Sequence, residues 1–406
     1  MARDIDIVLF GASGFVGRLT AAHLATHAPT GTRIALAGRS RERLAAVARD
    51  LGPAAANWPL VVADASDEAS LRTLAESTHV VVSTVGPYLR HGLPLVQACA
   101  RAGTHYADLT GEVLFARRSI DTAHETARAS GARIVHSCGF DSVPSDLAVL
   151  LAHDWARTHD AGPLASATLE VVSARGGFSG GTVDSLRLQL DTARRDPQAR
   201  RLVADPYALS PERASEPDLG RQPDAFGPHR RGATGDWVAP FVMASYNTRV
   251  VRRSNALLDH AYGPRLRYAE VMAFSGRTAA LRATAVTGVL AGLTGLLAVQ
   301  PLRPLLDRLL PSPGTGPSEH TRRTGRFHLR LDARTQSDRR ATVTVAAQGD
   351  PGYAATAVML GESALALALD GDRLPARAGV LTPATGIGIP LVDRLRRRGF
   401  TLDVAD

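Results

Sequence analysis

The chain has 406 residues, is 45% hydrophobic and carries a formal net charge of +8, and arginine supplies every cationic side chain because lysine is absent. This length and apolar content predict two domains with a substantial core, and the scattered arginines argue against a nucleic-acid partner. The two cysteines, Cys99 and Cys138, exclude a disulfide framework. The start of the chain does not resemble a signal peptide, so we expect a cytoplasmic protein.

The first third of the chain alternates strands with helices. Strands are predicted at DIDIVLF, RIALAG, PLVVAD, HVVVSTV, THYADL and ARIVHS, and helices over residues 16–27, 41–51, 68–76, 92–102 and 116–130. This repetition is typical of a parallel sheet with helices on both faces. We predict an α/β protein whose residues 1–145 form a Rossmann-type, doubly wound nucleotide-binding domain.

The stretch GASGFVG follows the first predicted strand and begins the first helix. Glycines at positions 11, 14 and 17 let the backbone approach a pyrophosphate, and the helix N-terminus supplies free N–H groups. A tight structural turn is the alternative, but the βαβ context favours a nucleotide site. The predicted cofactor contacts here are Gly11, Ala12, Ser13, Gly14, Phe15, Val16 and Gly17.

The end of the second strand indicates which nicotinamide cofactor to expect. An NAD enzyme places Asp or Glu there, whereas this chain has Arg39 and Ser40. Arginine pairs with a 2′-phosphate and a serine hydroxyl can donate to it, so we predict NADPH. The alternative is that Arg39 only begins a solvated helix. Asp64, with Ala65, is predicted near the adenine, although Asp64 could equally cap the next helix.

The loops after the later strands supply the candidates for chemistry. Thr84, Val85 and Gly86 are predicted to lie beside the nicotinamide, and the predicted catalytic residues are Tyr88 and Asp141. The absence of lysine excludes the Tyr-x-x-x-Lys pair of short-chain dehydrogenases. No His or Cys cluster has metal-ligand spacing, so no metal is expected. The DLTGE segment adds further polar candidates, while Cys138 and Ser145 are more simply interpreted as a buried small residue and a helix cap.

The motifs GASGFVG, AGRS, STVGPY, YADLTGE and CGFDSVPSD together resemble the saccharopine dehydrogenase-like oxidoreductases. The segments DPYAL, NTRVVRRSNAL, PGTGPS and LALALDGDRL narrow the resemblance to the actinobacterial trans-acting enoyl reductases, over nearly the whole chain. This resemblance implies reduction of an enoyl double bond on a chain held by a polyketide synthase that lacks its own enoyl reductase. In mycobacteria the implied products are phthiocerol and phenolphthiocerol lipids.

Residues 146–375 are predicted to form a substrate- or acyl-binding α+β domain with a largely antiparallel sheet, because several segments alternate with period two. Gly180, Gly181 and Thr182 offer either an anion-binding helix start or a flexible turn. Residues 194–235 are interpreted as a long excursion or lid. The C-terminal residues 376–406 are predicted to pack back on the Rossmann domain.

The apolar segment 283–299 has seventeen residues without a charge and contains a G-x-x-x-G pattern. It is short for a membrane span, which takes roughly 20 apolar residues. A buried helix, a tunnel wall for an acyl chain and a peripheral membrane contact are three open interpretations, of which we favour the membrane contact. A homodimer is also left open.

Three functions are compatible with these features. The first is an NADPH-dependent enoyl reductase acting in trans on a thioester held by a polyketide synthase or acyl carrier protein. The second is a saccharopine-type amino-acid or imine dehydrogenase, in which Arg249, Arg252 and Arg253 would bind carboxylates. The third is a non-catalytic, membrane-associated scaffold that binds NADPH. The resemblance favours the first.

Overall fold

The computed structural model describes residues 3–176, 180–220, 222, 224–225, 227–231, 235–298 and 316–406. Two seven-stranded sheets organise this part of the chain. The predicted residues 177–179 of the glycine-rich loop and the end of the apolar segment at Val299 lie outside the described residues.

Sheet A is the predicted parallel sheet. Its strands are β1 (Ile5–Phe10), β2 (Ile34–Gly38), β3 (Leu60–Val62), β4 (Thr78–Ser83), β5 (His105–Asp108), β6 (Arg133–Val135) and β13 (Gly379–Leu381). Their order is β13-β6-β5-β4-β1-β2-β3, and every pair is parallel. Strands β2 and β3 lie on one side of β1, and β4, β5 and β6 lie on the other. Doubly wound sheets bind ligands at this switch point, between β1 and β4.

Six helices connect the strands of this sheet: α1 (Phe15–His27), α2 (Arg41–Leu51), α3 (Glu68–Glu76), α4 (Tyr88–His91), α5 (Leu93–Ala102) and α6 (Val113–Ser130). The central strands are buried on both sides, as the near-continuous apolar sequence of β1 requires, and Val8 and Leu9 are fully buried. The Rossmann-type prediction is therefore confirmed, with one added strand.

Sheet B is the largely antiparallel sheet. Its strands are β7 (Leu164–Arg175), β8 (His229–Arg230), β9 (Trp237–Pro240), β10 (Arg267–Phe274), β11 (Arg326–Thr335), β12 (Arg340–Gln348) and β14 (Thr401–Ala405). Their order is β14-β12-β11-β7-β10-β9-β8. Only β7 and β10 pair in parallel among the described strands of this sheet. Buried and less buried residues alternate along β11 and β12, so one face of this part of the sheet is more solvated.

The remaining helices are α7 (Val143–Thr158), α8 (Gly180–Arg195), α9 (Pro197–Ala204), α10 (Ala244–Leu257), α11 (Ala279–Ala298), α12 (Glu319–Thr324), α13 (Thr356–Leu369), α14 (Pro383–Gly386) and α15 (Ile389–Arg397). The predicted boundary at residue 145 lies inside α7, which packs on sheet B. Helix α13 packs on α1 and on sheet A. The domain bounds 146–375 therefore do not hold for this helix, because it buries its apolar residues under the nucleotide sheet.

The C-terminal segment divides between the two sheets. Strand β13 pairs with β6 of sheet A, as the predicted return to the Rossmann domain requires. Strand β14 instead pairs with β12 of sheet B, where Leu402 lies opposite Val345. The prediction that all of residues 376–406 pack on the Rossmann domain is therefore wrong for the last strand, which completes the other sheet.

The apolar segment forms most of α11, and this helix lies on the surface. Ala279–Leu296 has a mean hydropathy of 1.4, yet only 11% of it is buried. Ala283 packs towards β9 and β10, while Leu281 and Val289 are 71% and 70% exposed. The alternative of a buried helix is thus excluded for the described part of the segment. A second apolar stretch of the same hydropathy, Pro351–Leu369, is 72% buried.

Candidate cofactor and substrate site

The glycine loop joins β1 to α1 at the carboxyl edge of sheet A. The N–H groups of Gly11 and Ala12 donate to the Ala37 carbonyl, at 2.9 and 3.2 Å. Gly11 has a φ of 88°, and a β-carbon there would lie 2.6 Å from Thr84 Oγ1. Glycine is therefore required at this position, both for its backbone conformation and for the close approach of the loop after β4.

The first helix begins close against this loop. A β-carbon at Gly17 would lie 2.2 Å from the Gly11 carbonyl oxygen, so only glycine allows this packing. Gly14 is the N-cap, and no side chain caps the helix. The N–H groups of the first turn, which includes Phe15 and Val16, therefore have no side-chain acceptor there and can bind a pyrophosphate. The residues present fit the predicted nucleotide.

Arg39 and Ser40 follow β2 at the same edge. Arg39 is exposed and makes no ion pair within the described part of the chain. Ser40 Oγ accepts the Arg43 N–H at 3.3 Å and so caps α2, which leaves its own hydroxyl hydrogen free to donate. An unpaired guanidinium beside a serine hydroxyl is suited to a 2′-phosphate.

Asp64 belongs to a turn after β3, with Ala65 half-buried beside it. Its Oδ1 accepts the Ser66 N–H at 2.9 Å and the Ser66 hydroxyl at 2.7 Å. These bonds lower the pKa of Asp64, and the nearby Arg39 charge adds to the effect. The residue that caps α3 is Asp67, which accepts the Ala69 N–H, so the alternative that Asp64 caps this helix is wrong.

The loop after β4 lies against the glycine loop. Thr84 Oγ1 donates to the Gly11 carbonyl at 3.1 Å, which fixes the two loops together. Val85 is half-buried and Gly86 is exposed at the head of this loop. The structure therefore brings these three predicted cofactor residues to the edge where β1 and β4 end.

Tyr88 is buried below this loop, and its hydroxyl is engaged on both sides. The hydroxyl donates to the Ser83 carbonyl at 3.0 Å and accepts the Leu109 N–H at 3.2 Å. Burial raises the pKa of Tyr88 well above its ordinary value, and the Asp108 charge adds to the rise. Proton donation by Tyr88 stays a prediction, and these contacts weigh against it because they favour a role in positioning the loop.

Glu112 holds the start of the short helix α4. Its carboxylate accepts the N–H groups of Tyr88 at 2.9 Å and Leu89 at 2.6 Å. Ser185, from α8, donates its hydroxyl to the same carboxylate at 2.6 Å. Burial raises the pKa of Glu112, and the three donors oppose that rise. This carboxylate therefore joins the loop after β4 to α8, a link that no local sequence signal indicates.

A second buried network lies beneath the loops after β5 and β6. Asp108 Oδ2 accepts from His136 Nδ1 at 2.8 Å, and His136 Nε2 lies 2.8 Å from Ser119 Oγ. The order of groups resembles a nucleophilic Ser-His-Asp site. Ser119 is fully buried inside α6, however, so it cannot reach a substrate. The network positions the two loops.

Asp141 differs from these carboxylates because no residue that the structure describes neutralises it. It is half-buried after β6, and its Oδ2 would lie 3.9 Å from a β-carbon on Gly111, which places it beside the loop after β5. No partner for its carboxylate occurs among the residues that the structure describes. Burial alone raises the pKa of Asp141 to about 6. An acid of this kind can carry a proton near neutral pH.

The other candidates have structural roles. Cys138 is fully buried, which raises the pKa of its thiol and makes it inert. The three arginines of α10 are also buried and donate to main-chain carbonyls: Arg249 to Val203, Arg252 to Pro206 and Arg253 to Leu209. They hold the excursion that begins at residue 194 against α10. These contacts weigh against their predicted role as carboxylate ligands.

Known proteins share both the nucleotide domain and the full length of this chain. Residues 7–135 match the saccharopine dehydrogenase NADP-binding domain. A trans-acting enoyl reductase of Mycobacterium ulcerans is 50% identical over 98% of this chain and 97% of its own length. One of Mycobacterium tuberculosis is 48% identical over the same shares. Saccharopine dehydrogenase of Saccharomyces cerevisiae, 13% identical, has the same fold over 99% of both chains with a TM-score of 0.57.

The fold, the glycine loop and the matched domain define an NADPH-dependent oxidoreductase of the saccharopine dehydrogenase type. Within that class, the chain belongs to the family of trans-acting enoyl reductases, because its relatives are about half identical along their whole length. Both the predicted family and the predicted cofactor are confirmed.

Proposed function

We propose that this protein reduces the enoyl double bond of a thioester intermediate in polyketide or complex-lipid biosynthesis, using NADPH and acting in trans on a chain held by a polyketide synthase or acyl carrier protein. The family relationship supports the reaction class. The observation that carries the proposal at the site is Asp141, an acid beside the loop after β5 whose carboxylate has no partner among the described residues.

Several residues of the chain have distinct roles in this proposed reaction. The uncapped start of α1 binds the pyrophosphate and Arg39 binds the 2′-phosphate. When bound, NADPH supplies the hydride for the β-carbon. As the double bond opens, its electron pair moves to the thioester oxygen, where N–H groups near Gly86 or at the start of α8 would stabilise the charge. Asp141 then gives its proton to the α-carbon and is left as the carboxylate.

The cofactor half of the proposal is tested by titrating NADPH and NADH into the wild type and Arg39→Ala. We expect a strong preference for NADPH in the wild type and its loss in the variant, because an unpaired guanidinium is removed from the 2′-phosphate. Arg43→Ala, a neighbouring surface arginine, serves as the matched control. Equal, weak binding of both nucleotides by the wild type would contradict the proposal and favour a non-catalytic scaffold.

The reaction half is tested by following NADPH oxidation with crotonyl-N-acetylcysteamine and, in parallel, with imino acids. We expect turnover of the enoyl thioester with uptake of one solvent hydrogen at the α-carbon. Turnover of imino acids alone would support a saccharopine-type dehydrogenase. That alternative lacks free arginines in α10, since Arg249, Arg252 and Arg253 already bind main-chain carbonyls.

We further propose that the outer side of α11 contacts a membrane surface peripherally. The supporting observation is an apolar helix whose residues Leu281 and Val289 are exposed, with Arg282 at its first turns. Exposed apolar surface on a helix marks an interaction site. Leu281→Ser with Val289→Ser should abolish co-sedimentation with vesicles containing anionic lipid. Unchanged co-sedimentation, or a loss of dimer in light scattering, would contradict the membrane contact.

A further inference from the structure

Four exposed arginines lie within eight residues at the end of α8 and inside α9, and we call them the α8–α9 basic patch: Arg194, Arg195, Arg200 and Arg201. None of them has an ion pair or a side-chain hydrogen bond within the residues that the structure describes. Four unpaired guanidinium groups at one place create a local positive potential.

The described acidic residues around the patch, Asp191 among them, lower its net charge but do not pair with its four arginines. Asp196, between the two helices, accepts the Gln198 N–H at 2.8 Å and caps α9. Asp205, just beyond α9, accepts the Tyr207 N–H at 2.9 Å. Asp184 lies 3.9 Å from Arg187 near the other end of α8. The four arginines outnumber the three acidic residues of this stretch, so residues 191–205 keep a net charge of +1.

Helix α8 connects this patch to the site. Ser185 donates to Glu112 at 2.6 Å, and Glu112 holds the start of α4 at the end of the loop after β4. Ten residues separate Ser185 from Arg195, which corresponds to about 15 Å along an α-helix. The patch therefore lies about 15 Å along α8 from Ser185, the residue that joins this helix to Glu112, a separation that a substrate tethered by a flexible arm can cross.

We infer that the α8–α9 basic patch docks the acidic surface of the carrier protein that presents the substrate. This inference rests on the proposed function. A thioester held on a carrier can react only while the body of the carrier is bound within reach of the site. Complementary charge raises the rate of such encounters and makes them depend on salt. A lipid surface that meets α11, on which α8 packs, is the alternative occupant. The carrier fits better, because none of the large exposed apolar side chains of the described residues lies in α8 or α9.

The experiment compares two substrates and two charge-reversed variants. Arg194→Glu with Arg195→Glu removes the patch, and Arg340→Glu with Arg397→Glu makes the same change of net charge at exposed arginines elsewhere. The substrates are a crotonyl-loaded acidic acyl carrier protein and crotonyl-N-acetylcysteamine. We expect kcat/KM for the loaded carrier to fall at least about tenfold at low salt in the patch variant only. Its value for the small thioester should stay at the wild-type level.

Binding of a fluorescently labelled carrier, measured by anisotropy, gives a readout that does not depend on turnover. Weaker carrier binding by the patch variant supports the inference, whether or not the substrates are reduced. A failure to reduce either substrate contradicts the proposed function instead. Equal carrier binding by the wild type and the patch variant overturns the inference. So does an equal loss of kcat/KM for both substrates, or a loss of binding to anionic vesicles with carrier binding intact.

Discussion

The loops after β5 and β6 each carry a carboxylate at the same edge of sheet A, but the two carboxylates differ in their hydrogen bonds. Glu112 accepts three hydrogen bonds, from Tyr88, Leu89 and Ser185. Asp141 accepts none from the described residues, and burial raises its pKa to about 6. A saturated carboxylate holds structure together, whereas an unsaturated one is available to a substrate. Glu112 therefore has a structural role in this site, whereas Asp141 is the candidate for its chemistry.

The largest effect is expected for Asp141→Asn, which tests whether the unsaturated carboxyl group takes part in the reaction. We expect kcat to fall between about 10² and 10⁴-fold, because asparagine cannot give up a proton, while NADPH binding is retained. The wild-type rate should also decline as pH rises above about 6, since the protonated acid is lost there. That decline should be absent from the residual activity of the variant. Steady-state kinetics against pH measure both, and an unchanged kcat would remove Asp141 from the mechanism.

Glu112→Gln tests the structural side of the comparison. We expect a loss of about 1–3 kcal/mol of unfolding free energy, because an amide group replaces the acceptor of three donors. Urea unfolding measures this loss of unfolding free energy, with the exposed Glu42→Gln as control.

The raised pKa of Glu112 fixes the sign of the pH dependence of stability. The folded state binds the Glu112 proton more tightly than the unfolded state does, so this contribution is present at acidic pH and is lost as pH rises through the folded pKa.

The wild type should therefore exceed Glu112→Gln in stability by more at acidic pH than at neutral pH. A difference that grows towards neutral pH would contradict this assignment, because it would require a lowered pKa in the fold. Thermal or urea midpoints at several pH values distinguish the two cases.

The smallest effect is expected for Tyr88→Phe. The hydroxyl bonds one carbonyl and one N–H of the main chain, so its loss should cost about 0.5–1.5 kcal/mol of unfolding free energy. Tyr262→Phe is the matched control, because that buried hydroxyl has no hydrogen-bond partner in the described parts of the chain. Catalytic turnover should change little in either variant. A loss of turnover comparable to that of Asp141→Asn would make Tyr88 the proton donor instead.

Much of the nucleotide site follows from local sequence. The strand, the three glycines and the helix are contiguous in the chain, so Gly11 and Gly17 could be assigned before any contact was known. Arg39 likewise follows its strand directly. The contacts of Tyr88 and Glu112 could not be assigned in this way, because their partners are Leu109 and Ser185, which are distant in sequence.

The second domain shows a similar limit. The alternation along β11 and β12 predicts strands with one solvated face, and both form. The parallel pairing of β7 with β10, and the addition of β14 to sheet B, are decided by contacts across long stretches of chain. A strand pattern specifies which face is buried but not which neighbour pairs with it.

The amino-acid sequence alone predicted the glycine loop, the NADPH cofactor and the apolar segment 283–299, and it contains a second stretch of equal hydropathy, Pro351–Leu369. The different burial of these two stretches follows from the contacts that each helix makes in the folded chain. Ala279–Leu296 and Pro351–Leu369 share a mean hydropathy of 1.4, yet 11% of the first and 72% of the second are buried. Hydropathy depends on the side chains of a helix alone, whereas burial depends on what lies beneath it. Sheet A and α1 cover α13, while α11 rests by one side on β9 and β10.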